Sequence, residues 1–345
     1  MIVLITLFLM LVIELSVVLL AAVAAGIASI SGAGFRKVFL KGMWCLLIPP
    51  AVFAYGFIIE RNVFKVKHIE IASERIPASF DGYRIVQLSD IHLGSFSRRA
   101  RTLKKFVDKV NELEPDIVLF TGDLITFFPS EIKDNLASIL SETDAADGVY
   151  SVLGNHDYCT YSRCPDEQSR IDSVALLISR EGSFGWRVLQ NENVPIVRES
   201  LTGSAVHDLD TIYVAGVRNT SVSHHFISDG DLSEAMDGAG DSFTVLMSHD
   251  PSHWRAEVME RDDIDLMLSG HTHAMQFAFF GWSPIVFLYK EYSGLYEREP
   301  SEKMKHRQYL YVNTGLGETG FPARAGVPPE ITLVTLRSEQ PASDF

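Results

Sequence analysis

Polar side chains recur along this chain directly after short runs of apolar residues. The stretch YRIVQLSDIHLG shows the arrangement first, and it returns in PDIVLFTGDLI, VYSVLGNHD, FTVLMSHDP and IDLMLSGHTH. Short, mostly apolar runs are typical of strands that are buried on both faces. The pattern therefore predicts five buried strands, each followed by a polar tip that carries Asp, His or Asn.

Two segments between these strands carry apolar residues at helical spacing. They are RRARTLKKFVDKVNELEPD and SRIDSVALLISREG. Strands that alternate with helices indicate a layered α/β fold. In such folds ligands bind beyond the carboxyl ends of the strands. We therefore expect the five polar tips to meet at one shared edge.

The tips offer a set of side chains that suits metal ions. Burying many carboxylates and imidazoles together is costly unless a partner compensates them. Only nitrogen and oxygen ligands are present, which suits divalent ions such as Mn, Fe, Zn or Mg. Because there are more ligands than one ion needs, we expect two ions.

The tip residues stand in the order that is found in the calcineurin-like metallophosphoesterases, which the chain resembles from about Lys67 to Leu336. The matching motifs are Asp90-x-His92, Gly122-Asp123, Gly154-Asn155-His156-Asp157, His249 and Gly270-His271-Thr272-His273. The chain is most similar to a membrane-associated bacterial branch with YkuE-like and YaeI-like phosphoesterases and, more distantly, UDP-2,3-diacylglucosamine pyrophosphatases. The resemblance implies two packed mixed β-sheets flanked by helices, and a metal-dependent phosphoric ester hydrolase.

The resemblance also implies a role for each tip residue. The first ion would be held by Asp90, His92 and His273, the second by Asn155, His249 and His271, and Asp123 would bridge both. Water between the ions would attack the phosphorus atom. His156 would protonate the leaving oxygen or hydrogen-bond the phosphoryl group. The stretch GDLITFFPSE lacks the Asp-Arg-Gly of protein phosphatases, which disfavours that activity.

The N-terminal region is apolar over two stretches. Residues 2–30 are almost wholly apolar, and a second stretch runs from about Gly42 to Ile59 with Pro49 and Pro50 inside it. A helix that crosses a bilayer needs roughly 20 apolar residues. We therefore predict a membrane anchor of two transmembrane helices in residues 1–62, followed by the metallophosphoesterase domain in residues 63–340. The alternative is a cleaved signal peptide followed by a single anchor.

Charge and cysteine content restrict the partners and the compartment. The formal net charge of −14 disfavours nucleic acids, which usually need a basic surface. The expected location is a membrane, by resemblance the bacterial cytoplasmic membrane. Basic residues on both sides of the second apolar stretch leave the side of the domain open. Cys159 and Cys164 are either free thiols or, in an oxidising compartment, a disulfide.

Substrate contacts are predicted at three positions. Arg98 either contacts a phosphate or begins a solvated helix. Tyr292 and Tyr296 lie in the aromatic stretch FAFFGWSPIVFLYKEYSGLYERE, which forms either core strands or a lipid-facing surface. The anchor and this stretch favour a lipid-linked or cell-envelope substrate with a phosphoester or pyrophosphate bond. A soluble phosphodiester and a catalytically silent membrane scaffold are the alternatives.

Overall fold

The computed structural model describes residues 2–201, 208–301 and 305–339. The helices are α1 (Ile2–Ile30), α2 (Phe35–Gly42), α3 (Ile48–Ile58), α4 (Ala100–Glu112), α5 (Asp134–Leu140), α6 (Glu167–Ser183), α7 (Leu232–Ala235) and α8 (Ser252–Ala256). The strands are β1 (Lys65–Ser73), β2 (Arg84–Leu88), β3 (Ile117–Phe120), β4 (Val149–Ser151), β5 (Trp186–Val188), β6 (Glu192–Glu199), β7 (Leu209–Gly216), β8 (Thr244–Met247), β9 (Leu266–Ser269), β10 (Gly294–Arg298), β11 (Gln308–Val312) and β12 (Glu330–Ser338). The expected domain end at residue 340 lies outside the described residues.

The strands form two mixed six-stranded sheets, which confirms the expected fold. The first sheet has the order β1-β12-β2-β3-β4-β5, and the second has the order β10-β11-β9-β8-β7-β6. Strands β2 to β5 are parallel neighbours, as are β7, β8 and β9. The single antiparallel pairing inside the first sheet joins β12 to β2.

Each central strand contributes to two cores, because successive side chains of a strand point to opposite faces. In β2, Ile85 packs into the core between the two sheets, whereas Val86 packs under α4 with Phe106. In β3, Leu119 likewise packs into the core between the two sheets, and Phe120 belongs to the same core as Phe106. A third core lies between the second sheet and helices α7 and α8. The layers are therefore helix, sheet, sheet, helix, and the apolar runs of the sequence are the strands of the two middle layers.

The five polar tips do not share one sheet edge. Those that follow β2, β3 and β4 belong to the first sheet, and those that follow β8 and β9 belong to the second. The expectation of a single shared edge is wrong in this respect. An apolar run indicates that its strand is buried, but it does not indicate to which sheet the strand belongs. The tips nevertheless meet, because the two sheets pack face to face.

Two N-terminal segments are long and apolar enough to cross a membrane by length and composition. They are Thr6–Ile30 and Phe35–Asn62. The second comprises α2, a 3₁₀ turn at Met43–Leu47, α3 and a 3₁₀ turn at Glu60–Asn62. Pro49 and Pro50 occupy the first turn of α3. At that position their missing N–H groups break no helical hydrogen bond.

The end of the second segment packs against the loop that precedes β12. A Cβ atom added to Gly56 would lie 2.4 Å from the carbonyl oxygen of Arg324. The N–H of Gly326 donates to Oε2 of Glu60 at 2.9 Å, and Nη1 of Arg61 donates to the carbonyl of Pro322 at 2.8 Å. Helix α3 ends at Ile58 and β1 begins at Lys65. The domain boundary at residue 62 stays a prediction.

A buried glutamate in α6 makes stability depend on pH. Oε2 of Glu181 accepts a hydrogen bond from Oγ of Ser151 at 2.6 Å, and burial, followed by the nearby Asp157 carboxylate, raises the pKa of Glu181 to about 8. The folded state therefore holds this proton more tightly than the unfolded state, whose glutamate titrates near pH 4.3. The resulting stability is full below that value and is lost as pH rises towards about 8.

We expect the free energy of unfolding of the wild-type protein to fall by on the order of a few kcal/mol between about pH 5 and about pH 9 because Glu181 ionises. We expect Glu181→Gln to lack this fall. Thermal unfolding of the full chain in detergent at both pH values measures this loss. The matched control is Glu199→Gln, which changes an exposed glutamate of β6. Equal pH dependence of wild type and Glu181→Gln would contradict the raised pKa.

Candidate metal centre

The tips of β2 and β9 bring three expected ligands together. Nε2 of His273 lies 3.1 Å from Oδ1 of Asp90 and 3.1 Å from Nε2 of His92. All three side chains are buried. Oδ1 of Asp90 has no hydrogen-bond partner among the described residues. A buried carboxylate oxygen without a donor, beside two imidazole nitrogens, is the arrangement that a cation would satisfy.

The tips of β4, β8 and β9 form a second group. Oδ1 of Asn155 lies 3.1 Å from Nε2 of His249 and 2.7 Å from Nδ1 of His271, and these two nitrogens are 3.3 Å apart. Nδ1 of His249 donates to the carbonyl of Thr121 at 2.7 Å. This bond fixes the ring and directs Nε2 into the group, as the outer hydrogen bond of a metal-binding histidine does.

Asp123 lies between the two groups. Its Oδ2 is 3.7 Å from Nε2 of His92 in the first group and 3.2 Å from Nε2 of His249 in the second. Its Oδ1 accepts the N–H of His156 at 2.8 Å. The Asp123 carboxylate is thus the group that both ligand sets share.

Asp157 fixes the turns that carry these ligands. Its Oδ2 accepts the N–H groups of Asp123 and Gly154 at 2.7 and 2.9 Å, and its Oδ1 accepts the N–H of Ile125 at 3.1 Å. Burial and the neighbouring Asp123 carboxylate raise the pKa of Asp157 to about 8, against the effect of these N–H donors. The side chain therefore ties the tip of β3 to the tip of β4.

The backbone of the site is strained. Five of the seven expected ligands have a positive φ: Asp90 (50°), His92 (45°), Asp123 (60°), His271 (72°) and His273 (49°). The left-handed region costs a residue other than glycine roughly 1–2 kcal/mol. Such conformations persist where the surrounding structure fixes them, and they cluster at functional sites.

Glycines allow the tips to approach one another. A Cβ atom on Gly154 would lie 2.2 Å from Oδ1 of Asp123, and one on Gly270 would lie 2.2 Å from Oδ2 of Asp90. Neither distance permits a side chain. These glycines bring the backbone of one tip against the carboxylate of another.

The electrostatics of the site favour ionised carboxylates. Burial opposes ionisation of Asp123, but the His249 and His156 imidazoles outweigh it and hold the pKa of Asp123 well below its usual range. Burial also opposes ionisation of Asp90, and His273 outweighs it, so the pKa of Asp90 is lowered. The Asp123 carboxylate likewise overcomes burial and raises the pKa of His249 to about 10. Two buried anions therefore depend on nearby positive charge.

These residues fit divalent cations. Three sets of ligand atoms lie within 4.8 Å of one another: Asp90, His92 and His273; His92, Asp123 and His156; and Asp90, Asp123 and His249. The donors are carboxylate, amide and imidazole, which suit borderline or hard ions. The unpartnered Oδ1 of Asp90 supports the same conclusion.

The rim of the site carries aromatic residues that the sequence patterns did not single out. The ring of Tyr161 stacks on His156 with centroids 4.0 Å apart, and its hydroxyl accepts from Nδ2 of Asn155 at 2.6 Å. The hydroxyl of Tyr289 lies 2.9 Å from Nε2 of His271. In the sequence, Tyr289 belongs to the aromatic stretch noted above. Tyr161 could have been found only from its position shortly after His156.

Arg324 is a further residue that the sequence did not reveal. Its guanidinium is fully buried and lies 3.2 Å from Nδ1 of His273. It donates to the carbonyls of Thr314, Gly317 and Val327. Arg324 therefore supports the first ligand group from behind while its backbone contacts Gly56 of α3.

The three expected substrate contacts lie outside the two ligand groups. Arg98 is exposed and lines a cavity of about 840 Å³ together with Arg99 and Thr126. The hydroxyl of Tyr292 donates to the carbonyl of Gly281, and that of Tyr296 accepts the N–H of Tyr292. Their roles in substrate binding stay predictions. Cys159 and Cys164 are free thiols in this structure.

Comparison with known proteins agrees with this geometry. Residues 83–275 match the family model for calcineurin-like phosphoesterases, and this segment contains every expected ligand. The chain belongs to the calcineurin-like phosphoesterase family. The family depends on metal ions, and this member carries clustered ligands of the expected kind.

Three relatives of this phosphoesterase-family chain are informative. A transmembrane protein with a metallophosphoesterase domain from Bos taurus is 32% identical over 308 residues, which cover 88% of this chain and 64% of that protein. The uncharacterized metallophosphoesterase YkuE of Bacillus subtilis is 30% identical and covers 88% of this chain and 98% of its own length. The UDP-2,3-diacylglucosamine pyrophosphatase LpxG of Chlamydia trachomatis is 28% identical over 84% of this chain and 94% of its own length. The chain thus spans just under two thirds of the bovine relative.

Proposed function

We propose that this chain is a membrane-anchored hydrolase that uses two divalent ions to cleave a phosphoester or pyrophosphate bond in a lipid-linked or cell-envelope substrate. The observation that carries the proposal is the pair of ligand groups that share Asp123. In the first, Asp90, His92 and His273 would hold one ion. In the second, Asn155, His249 and His271 would hold the other.

The ions, when bound, would supply an acidified water molecule and would stabilise the charge that develops on the phosphoryl oxygens. The residues of the chain orient the proton donor, His156. Oδ1 of Asp123 accepts a hydrogen bond from the backbone N–H of His156 at 2.8 Å. The carbonyl of Thr126 accepts one from Nδ1 of the His156 ring at 2.8 Å. This arrangement leaves Nε2 of the half-buried His156 available to donate a proton to a leaving oxygen.

Two features support a lipid-linked substrate. The two apolar N-terminal segments are long enough to anchor the chain in a membrane, and a bacterial cytoplasmic membrane is the proposed location. A relative of similar length is named as a pyrophosphatase of UDP-2,3-diacylglucosamine, which carries acyl chains. The proposed substrate class is therefore a phosphate or pyrophosphate compound that bears acyl chains.

Metal removal tests the proposal. We expect EDTA treatment of the detergent-purified full chain to lower hydrolysis of methyl p-nitrophenyl phosphate by about a hundredfold or more, because the ions contribute several kcal/mol to the transition state. Adding back Mn, Fe, Zn or Mg separately is expected to restore turnover and to identify the preferred ion. Mass spectrometry is expected to find about two ions per chain. Turnover that survives complete chelation would contradict the proposal.

A further inference from the structure

An apolar groove of about 390 Å³ lies between the N-terminal helices and residues 274–289, here called the aromatic loop. Met10, Ile13 and Val52 line it from the helices. Met275, Phe277 and Pro284 line it from the aromatic loop. The groove therefore has one wall on the anchor and one on the domain.

The groove lies at the depth of the membrane interior if the two segments span a bilayer. Met10 and Ile13 belong to the segment Thr6–Ile30, and Val52 belongs to Phe35–Asn62. With a rise of 1.5 Å per residue, Val52 is about 15 Å from the end of its segment at Asn62. This is about half of a hydrocarbon core that is roughly 30 Å thick. In a bilayer that the two segments span, acyl chains would therefore fill the space outside the groove.

The outer face of the aromatic loop is suited to the same environment. Its exposed apolar side chains, with their exposed fractions, are Phe279 (66%), Phe280 (95%), Phe287 (81%) and Leu288 (79%). Soluble surfaces seldom carry so much contiguous apolar area. The loop also pairs backbone groups internally, since Phe279 and Trp282 exchange hydrogen bonds of 2.8 and 3.1 Å. Such pairing is needed where water is scarce.

Both ends of the aromatic loop lie at the candidate metal centre. It begins directly after His273, and it ends at Tyr289, whose hydroxyl is 2.9 Å from Nε2 of His271. On the same domain wall, Ala323 and Ala325 line the groove on either side of Arg324, which contacts His273. The groove therefore lies beside the residue that contacts the first ligand group, and the aromatic loop connects it along the chain to the second.

We infer that this groove binds an acyl chain of the substrate and thereby holds the phosphate group of a membrane lipid at the metal centre. The inference rests on the proposed function and adds the site that selects the lipid. It commits to a chain from the surrounding bilayer, because Thr6 is the one polar side chain among the described residues that line the groove, which suits an acyl chain better than a peptide or a headgroup.

Chain-length dependence of turnover tests the inference. The full chain in lipid nanodiscs is given methyl p-nitrophenyl phosphate or hexadecyl p-nitrophenyl phosphate, and the ratio of their kcat/KM values is measured. Val52→Trp and Met10→Trp fill the groove from two different helices. Leu20→Trp adds the same ring at an exposed position of α1 and serves as the matched control.

The expected result is a ratio that favours the hexadecyl ester in wild type and Leu20→Trp, and that falls on the order of tenfold in the groove variants, the effect of losing roughly two buried methylene groups. Normalising to the methyl ester within each protein removes effects on folding or metal content. Partition of the long chain into the nanodisc is the same for all variants. If this ratio falls by less than about threefold in both groove variants, the inference is overturned. Such a change is smaller than the contribution of one buried methylene group. Failure of metal-dependent turnover with either ester would instead overturn the proposed function.

Discussion

Replacing Asp123 with asparagine is expected to reduce metal-dependent hydrolysis of methyl p-nitrophenyl phosphate by about three orders of magnitude, because several kcal/mol of charge stabilisation depend on the ions. Oδ2 of Asp123 lies 3.7 Å from Nε2 of His92 and 3.2 Å from Nε2 of His249, one in each ligand group. Asparagine keeps the shape and can still accept the N–H of His156. It replaces a shared anionic oxygen with a neutral group, so the number of bound ions should also fall.

Mass spectrometry of the metal content and steady-state kinetics measure both parts of this prediction. The matched control is Asp237→Asn, which changes an exposed aspartate outside the ligand groups. Full turnover with an unchanged ion count would contradict a bridging role for Asp123. Full turnover with a single ion would show that the second ligand group is dispensable.

The local features of the site could be predicted from the sequence. An apolar run followed by Asp-x-His or Gly-Asn-His-Asp indicates a buried strand with a polar tip, and β2, β3, β4, β8 and β9 stand where these runs are. The α4 and α6 helices lie where apolar residues recur at helical spacing. Such patterns succeed because burial of a strand or helix face is a local property of the sequence.

The long-range features of the site could not be predicted in the same way. The division of the tips between two sheets depends on the pairing of β12 with β2 and of β11 with β9. A positive φ is uncommon for residues other than glycine, so the local sequence does not predict the values at Asp90 and His271. Arg324 reaches His273 across 51 positions of sequence, so no spacing motif could reveal it.

The contact between the second apolar segment and the residues before β12 is another long-range feature. Nε of Arg61 lies 3.3 Å from Oε1 of Glu318. The two carboxylate oxygens of Glu318 each also accept a hydrogen bond from Nη2 of Arg99. In the sequence, Arg61 is one of the basic residues that follow the second apolar stretch. In the structure it is paired with the Glu318 carboxylate, so its charge gives little guidance on membrane orientation.

Replacing His156 with alanine is expected to lower hydrolysis of dimethyl phosphate, which has an alkoxide leaving group, by 10²–10⁴-fold, the usual contribution of a general acid, while the bound ions are retained. The imidazole is oriented by the carbonyl of Thr126 and by stacking on Tyr161, and it is less buried than the ligand histidines of the first group. The matched control is His68→Ala, which removes an exposed imidazole from β1. The ion count is informative because His156 also lies within ligand distance of His92 and Asp123.

The leaving group separates the two roles that the geometry allows for His156. An alkoxide leaving group needs a proton in the transition state, whereas p-nitrophenolate needs little help because its conjugate acid is far stronger. If His156 is the proton donor, the loss in His156→Ala should be about a hundredfold greater for dimethyl phosphate than for methyl p-nitrophenyl phosphate. An equal loss for both esters with a reduced ion count would identify His156 as a metal ligand. An equal loss with both ions retained would assign it to binding of the phosphoryl group, because that interaction serves both esters alike.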